Sequence, residues 1–380
     1  MKIAGIIAEY NPFHNGHLYQ IEKTKKELGI DFIVAVMSGD FVMRGEPALY
    51  NKFLRAKMAA ENGVDLVIEL PAPYALSSAE FFAEGSVKLL NSLNIVDYLS
   101  FGSESGNIEK LKSIAEKLNS EKIKSKIIKN QKKGIPVYEA ISEEFSDSDK
   151  EILKTPNNIL AINYIKALLK TKSKITPYTL ERIKTGYNDL ETKDGFASAT
   201  GIRERLRNSE DISPFMPKKA FKLSDNVLPV FEEEFDKVIT YILRVKESEE
   251  LLKYPDVSEG LENLIAEASR NAFGVKEVAE YIKSKRYTYT RIKRILFNIL
   301  CDIKKEEREK DPQYARVLAF NENGKKLIGE LNKKSLIPVI TNPTKEHYEK
   351  YPDLLLDLKV HDIYSIICGN KGGENKRILL

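Results

Sequence analysis

Four short apolar runs recur at the start of the chain: KIAGIIAEY (2–10), DFIVAVMS (31–38), VDLVIELP (64–71) and VDYLSFGSE (96–104). Each is nearly continuous in apolar residues, the pattern of strands covered on both faces. Between them, 16–28, 50–62 and 78–93 have helical spacing, and Gly29, Gly63 and Asn94 stand where helices end. Strands and helices alternating at this spacing predict a parallel α/β sheet.

The alternation continues more loosely. A lysine-rich stretch at 108–133 is expected to be helical, as is TPNNILAINYIKALLK (155–170), entered through Thr155-Pro156-Asn157. ITPYTLERIK (175–184) reads as a fifth strand, and GFASATGIRERLRN (195–208) as a loop followed by a helix. The segment 209–229 then brings three prolines and several short polar residues, so a domain boundary is placed there. Residues 229–310 have helical periodicity and few breakers. From 312 to 380, helices mix with two apolar runs, SLIPVITNP and DIYSIICGN. The expected architecture is an α/β unit with a Rossmann-like parallel sheet over 1–215, then a mainly helical unit over 216–380.

Composition narrows the class. The 60 Lys+Arg against 56 Asp+Glu leave only +4, so a nucleic-acid partner has to be argued from where charges cluster. Cys301 and Cys368 are the only cysteines; they form no metal-type spacing and no disulfide framework. No run approaches the ~18 consecutive apolar residues of a membrane span, and Met1-Lys2 leads straight into a strand without a signal-peptide layout. A soluble, cytoplasmic protein is expected.

Only four histidines occur, and two of them flank Asn15-Gly16 in NPFHNGH, directly after the first strand. Taken alone, His14 and His17 suit a helix cap, half of a zinc site or a phosphate clamp. No cysteine or third histidine lies within reach in sequence, so zinc would need a carboxylate as third ligand. Ligands of α/β sheets bind at the carboxyl ends of strands. The free N–H groups of a helix N-terminus there favour phosphate, Gly16 keeps side-chain bulk away, and two imidazoles can donate to phosphate oxygens.

NPFHNGH resembles the H-x-G-H signature of the nucleotidylyltransferase superfamily, related to class I aminoacyl-tRNA synthetases. ASATGIRERL (197–206) resembles its second signature, a Ser/Thr-rich turn before Ile-Arg at a helix start, with Ser198, Thr200, Ile202 and Arg203 at matching positions. Together with MSGDFVMRGEPA, DLVIELP, FGSE and PNNILA, these stretches look like the bacterial tRNA(Met) cytidine acetate ligase family. The likeness is dense over the first 210 residues and looser beyond.

That resemblance implies ATP as substrate, Mg2+ with it, and elongator tRNA(Met) and acetate as partners. It implies activation of acetate to acetyl-adenylate, then acetylation of N4 of the wobble cytidine. Ile7, Ala8, Glu9, Tyr10, Asn11, Pro12, Phe13, His14, Asn15, Gly16, His17, Leu18, Tyr19 and Gln20 would wrap the nucleotide, with Gly102, Asn157, Arg182, Ser198 and Thr200 completing the pocket. His14, His17, Asp40 and Arg203 are the catalytic candidates. Asp40, Arg44, Lys52 and Arg55, after the second strand, could face acetate or the nucleoside; equally, Lys52, Arg55 and Lys57 could form a solvated helix face. Acetate is ionised near neutrality, so its attack on phosphorus needs alignment and charge stabilisation but no general base.

Two basic tracts could meet RNA. KSKRYTYTRIKR contains Lys283, Lys285, Arg286, Arg291, Lys293 and Arg294 with no acid, interleaved with Tyr287 and Tyr289. Cations neutralise phosphates and tyrosines stack on unpaired bases. Lys122–Lys133 is expected to be a solvated face instead. Two other readings remain at this point: a small-molecule nucleotidylyltransferase, which would need only the first unit, and a non-catalytic nucleotide- or RNA-binding protein, which would not need both histidines.

Overall fold

The computed structural model describes residues 1–131, 141–183, 195–258, 260–284, 286–369 and 378–379. Its first strands are β1 (Ile3–Ala8), β2 (Phe32–Ser38), the two-residue β3 (Phe41–Val42) and β4 (Glu46–Pro47), β5 (Leu66–Leu70), β6 (Tyr98–Ser103) and β7 (Thr176–Glu181). Five of them make a parallel sheet in the order β5-β2-β1-β6-β7, and β3 and β4 form a separate antiparallel hairpin.

The apolar runs are continuous because both faces of the sheet are covered. In β2, Val34 and Val36 belong to one core with Phe82, Val87 and Ile165, while Ile33, Ala35 and Met37 belong to another with Ile21, Ala56 and Ile202. The first core is closed by α3 (Ala79–Leu93), α4 (Ile108–Asn119) and α5 (Pro156–Lys170). The second is closed by α1 (Asn15–Leu28), α2 (Lys52–Glu61) and α6 (Ala199–Arg207). Gly29 and Asn94 do end their helices in the left-handed region, at φ 61° and 55°. The stretch expected as one helix over 108–133 breaks at Ser120, whose ψ of 144° is extended.

Two features were not expected. β8 (Ala315–Phe320) adds antiparallel to β5, and β9 (Val339–Ile340) and β10 (Ile378–Leu379) pair with β8, so the stretch expected to be mainly helical returns to the sheet. β8 is buried over five of its six residues because it lies inside the sheet rather than on an open edge. The apolar run DIYSIICGN enters a helix, α8 (Pro352–Ile367). The helices between 230 and 303 build a third core around Ile239, Ile265, Val278 and Phe297. Phe41, Ala72 and Leu76 of the sheet part and Val360 and Tyr364 of α8 share it.

Strand order reverses beside β1: β2 and β5 extend to one side, β6 and β7 to the other. The crevice for a ligand therefore opens between the carboxyl ends of β1 and β6. The turn Glu9–Asn15 and the segment Gly102–Glu104 flank it.

Candidate active site

The turn after β1 is built to orient two imidazoles. His14 is the N-cap of α1, with extended backbone, and its Nδ1 accepts the Gly16 N–H at 3.0 Å. His17, one turn in, accepts the His14 N–H on its own Nδ1 at 3.1 Å. A ring nitrogen that accepts a backbone N–H cannot itself carry the proton, so each neutral ring carries it on Nε2. The two rings are stacked with centroids 3.7 Å apart. Burial, helped by Arg182 and Arg203, lowers the His14 pKa to about 3. Burial, then His14 and Arg182, keeps His17 well below the ordinary range. The pair is thus two uncharged N–H donors at the positive end of a helix, fitted to phosphate oxygens.

The rest of the turn supports or borders them. Tyr10 and Phe13 pack against the His17 ring, and Phe13 is fully buried. Asn11 Oδ1 accepts the Leu49 N–H at 2.7 Å, whereas Asn11 Nδ2 and the Tyr10 hydroxyl are buried without a hydrogen-bond partner among the described residues. Buried polar atoms of that kind ask for a ligand or water. Ile7, Ala8 and Glu9 lie at the end of β1, and Pro12 is buried beside them. The Glu9 carboxyl is raised by burial, partly offset by the Met43 N–H it accepts at 2.8 Å. Leu18 packs into the sheet core, Gln20 donates to Ser100 O on β6 at 3.1 Å, and Tyr19 meets Phe196 edge-on.

The two signatures, far apart in sequence, are joined by Asn15, whose Nδ2 donates to Gly195 O (2.8 Å) and Pro214 O (2.9 Å). Ser198 caps α6 through the Gly201 N–H at 3.0 Å, and Ile202 anchors it in the core. Arg203 then points back: Nη1 donates to Asn11 O at 2.9 Å and Nη2 to Thr200 Oγ1 at 3.3 Å. Gly102 faces Arg182, where an added Cβ would meet Arg182 Cγ at 3.1 Å. Arg182 lies just past the end of β7, its N–H on Ser103 O. Asn157, in the first turn of α5, donates through Nδ2 to Glu104 Oε1 at 2.7 Å, and Glu104 also accepts the Asn157 and Asn158 backbone N–H groups.

Asp40 is elsewhere. Its Oδ1 accepts the Lys52 N–H at 2.6 Å and its Oδ2 lies 2.7 Å from His361 Nδ1 of α8. Burial raises its carboxyl, but His361, Lys52 and Arg55 outweigh burial and hold it below the usual range. With both oxygens engaged it ties the start of α2 to α8. Lys52 is likewise buried, paired with Glu69 at 2.8 Å. The Arg55 guanidinium is spent on carbonyls, Tyr50 O at 2.8 Å and Glu9 O at 2.5 Å among them. Lys57 stays on the surface opposite Glu61. Arg44 is exposed and reaches Thr200 at 3.4 Å. A cavity lined by Gly39, Asp40, Phe41, Glu69, Ala72, Leu76, Ile303, Asp357 and Val360 marks the junction of the two parts and contains neither histidine nor Arg203.

The basic segment is split by packing. Lys283 and Arg286 are exposed; Arg291 is half-buried and donates to Asp256 O at 2.9 Å. Lys293 and Arg294 sit on α7 (Tyr289–Leu300) and turn toward the β3–β4 hairpin, Lys293 being 7% exposed. Their side chains are therefore not the open RNA contacts expected of them. Lys285, Lys132 and Lys133 lie outside the described residues. In the other tract, Lys122 and Lys126 pair with Glu144 on the surface, as a solvated face should. Glu46 and Glu104, which hold Arg203 and Asn157, were missed as site residues. Both stand in quoted motifs, RGEP and FGSE, but sequence spacing does not show what an acid faces.

A neutral imidazole pair at the switch point of a parallel sheet, with an arginine turn opposite, defines an H-x-G-H nucleotide-handling enzyme. The family described as HIGH Nucleotidyl Transferase matches residues 1–377. A protein of Clostridium novyi named tRNA(Met) cytidine acetate ligase is 46% identical, over 96% of this chain and 94% of its own. Its namesake in Thermoanaerobacter sp. is 44% identical over 97% and 96%. The crystal structure of Thermotoga maritima TmcAL bound with alpha-thio ATP superposes with a TM-score of 0.90 at 32% identity, covering 98% of this chain and 96% of that one. The chain belongs to the tRNA(Met) cytidine acetate ligase family of the HIGH nucleotidyl transferases.

Proposed function

We propose that this chain activates acetate with ATP and transfers the acetyl group to N4 of the wobble cytidine of elongator tRNA(Met). The observation that carries the reading is the pair of neutral Nε2–H imidazoles at the N-terminus of α1, faced by Arg203. An acetate oxygen attacks the α-phosphorus, the α–β P–O bond breaks and pyrophosphate leaves. The two imidazoles and Arg203 stabilise the charge on the phosphoryl oxygens, and acetate, already ionised, gives up no proton. The cytidine N4 then attacks the acyl carbon, AMP departs with the bridging oxygen, and N4 loses a proton.

Asn11, Gln20, Gly102, Asn157 and Arg182 border the nucleotide in this reading. Among the described residues no three His, Cys, Asp or Glu side chains cluster as a metal site. Mg2+ would be held by phosphate oxygens and water with at most one or two carboxylates, as it commonly is. Lys283 and Arg286 are the RNA contacts with open access. The helices from 230 to 303 form the RNA-facing unit, with 315–340 belonging to the sheet unit. No helix among the described residues is long and apolar enough to cross a membrane, and a cytoplasmic site of action fits a tRNA substrate.

The test is to incubate the protein with ATP and labelled acetate, with and without tRNA. Acetyl-adenylate without tRNA and labelled cytidine with it are expected. Pyrophosphate release that ignores acetate and needs another acceptor would overturn the reading.

A further inference from the structure

The β3–β4 hairpin is held from both sides. At its tip, Arg44 reaches Thr200 beside Arg203. On its other side Gly45, at φ 71°, lies so close to α7 that a Cβ there would stand 2.4 Å from the Arg294 nitrogen. Only glycine permits both that conformation and that approach.

Glu46 follows, with its carboxylate between two cations from different parts of the molecule. Oε1 is 3.0 Å from Arg203 Nη2 and Oε2 is 3.4 Å from Lys293 Nζ. Lys293, itself buried, also pairs with Glu232. Oε1 has no aligned hydrogen bond, so its contact with Arg203 is one of charge and not of a saturated pair. Arg203 meanwhile keeps its bonds to Asn11 O and Thr200. A half-buried carboxylate shared by two cations pulls on each less than one shared with a single cation. Removing Lys293 would leave Glu46 to draw Arg203 toward itself, away from the phosphates.

We propose that Lys293 is a positioning residue for acetate adenylation: through Glu46 it sets the orientation of Arg203, so a side chain from the RNA-facing unit is required in the step that involves no RNA. This rests on the adenylation reading above.

The experiment is acetate-dependent ATP–pyrophosphate exchange by the full-length protein without RNA, with melting temperature measured in parallel. For Lys293→Met, kcat is expected to fall about 10- to 100-fold while KM for ATP stays within about threefold, the signature of a group felt in the transition state. Lys293→Arg should recover to within about threefold of wild type, since it restores the charge. Because Lys293 acts through Glu46, the double variant E46Q/K293M should be no slower than the slower single variant. Wild-type exchange by Lys293→Met, or losses that multiply in the double variant, would overturn the proposal. Should Lys293→Met melt too early to assay, Lys293→Gln carries the test. The neutral amide also removes the charge that offsets Glu46, so the same kcat-selective loss is expected, and an unchanged rate would sink the idea. If the wild type shows no acetate-dependent exchange, the adenylation reading fails instead.

Discussion

The His14–His17 turn and the Lys283–Arg294 segment hold out the same promise in a primary sequence, several polar side chains within a dozen residues. The fold treats them differently. In the first, the backbone itself orients the functional groups: each imidazole is fixed by an N–H no more than three residues away. In the second, partners come from more than 30 residues away: Asp256 O for Arg291, Glu46 and Glu232 for Lys293, Met43 O for Arg294. Local hydrogen bonds make a site legible along the chain. Long-range packing decides which members of a charged run meet solvent.

The contrast breaks if the imidazoles prove dispensable. His17→Ala should lower acetate-dependent pyrophosphate exchange about 10²- to 10³-fold, the loss typical of removing one donor to a developing oxyanion. tRNA binding, measured by filter retention, should stay near wild type, and a retained exchange rate would unseat the site.

A second prediction separates a functional acid from a structural one. Asp40→Asn leaves His361 facing an amide in a buried place and is expected to cost about 1–3 kcal/mol of stability. Denaturant unfolding should show that loss, with kcat changed by less than the His17 variant changes it. The opposite ranking would restore Asp40 to the chemistry.

Next comes the RNA side. Charge reversal at the exposed pair, Lys283→Glu with Arg286→Glu, should weaken tRNA binding about tenfold at moderate salt. It should also flatten the dependence of log affinity on log salt by about two, near one per lost phosphate contact. RNA-free adenylation should not follow it. Unchanged affinity would move the RNA face elsewhere.

The smallest effect is a flat line. The His14 pKa is lowered to about 3 by burial, then by Arg182 and Arg203. The imidazole thus stays neutral where a free histidine would protonate near 6.5. The unfolded chain binds that proton first, so the associated stability is full above about pH 6.5 and drains away as pH falls toward the folded-state value. Adenylation rate should accordingly show no inflection between about pH 5.5 and 8. A step near 6.5 would mean that a charged histidine is in play.

Much of the fold was readable because its signals are periodic. The strands β1, β2, β5, β6 and β7, the helices between them and the left-handed caps Gly29 and Asn94 follow from apolar spacing and backbone preference. β8 was not, since a short run such as ARVLAF does not announce whether it joins a strand about 250 residues earlier or packs among helices. Within the site, the caps of α1 and α6 were visible as motifs, whereas Asn15 bridging to Gly195 and Pro214 was not.

The sequence alone determined the parallel sheet, the place of the histidine turn at its carboxyl edge and the local hydrogen bonds that orient the two rings. These depend on neighbours within one helical turn and on the period of apolar residues. The tertiary structure alone decided that Asp40, Lys52 and Arg55 are buried among partners, that Lys293 faces Glu46 and not solvent, and that Glu46 joins Arg203 to the second unit. A charged side chain has the same identity on a surface, in a buried pair or beside a phosphate. Only the residues that three-dimensional packing brings within a few ångströms set its desolvation and its partner.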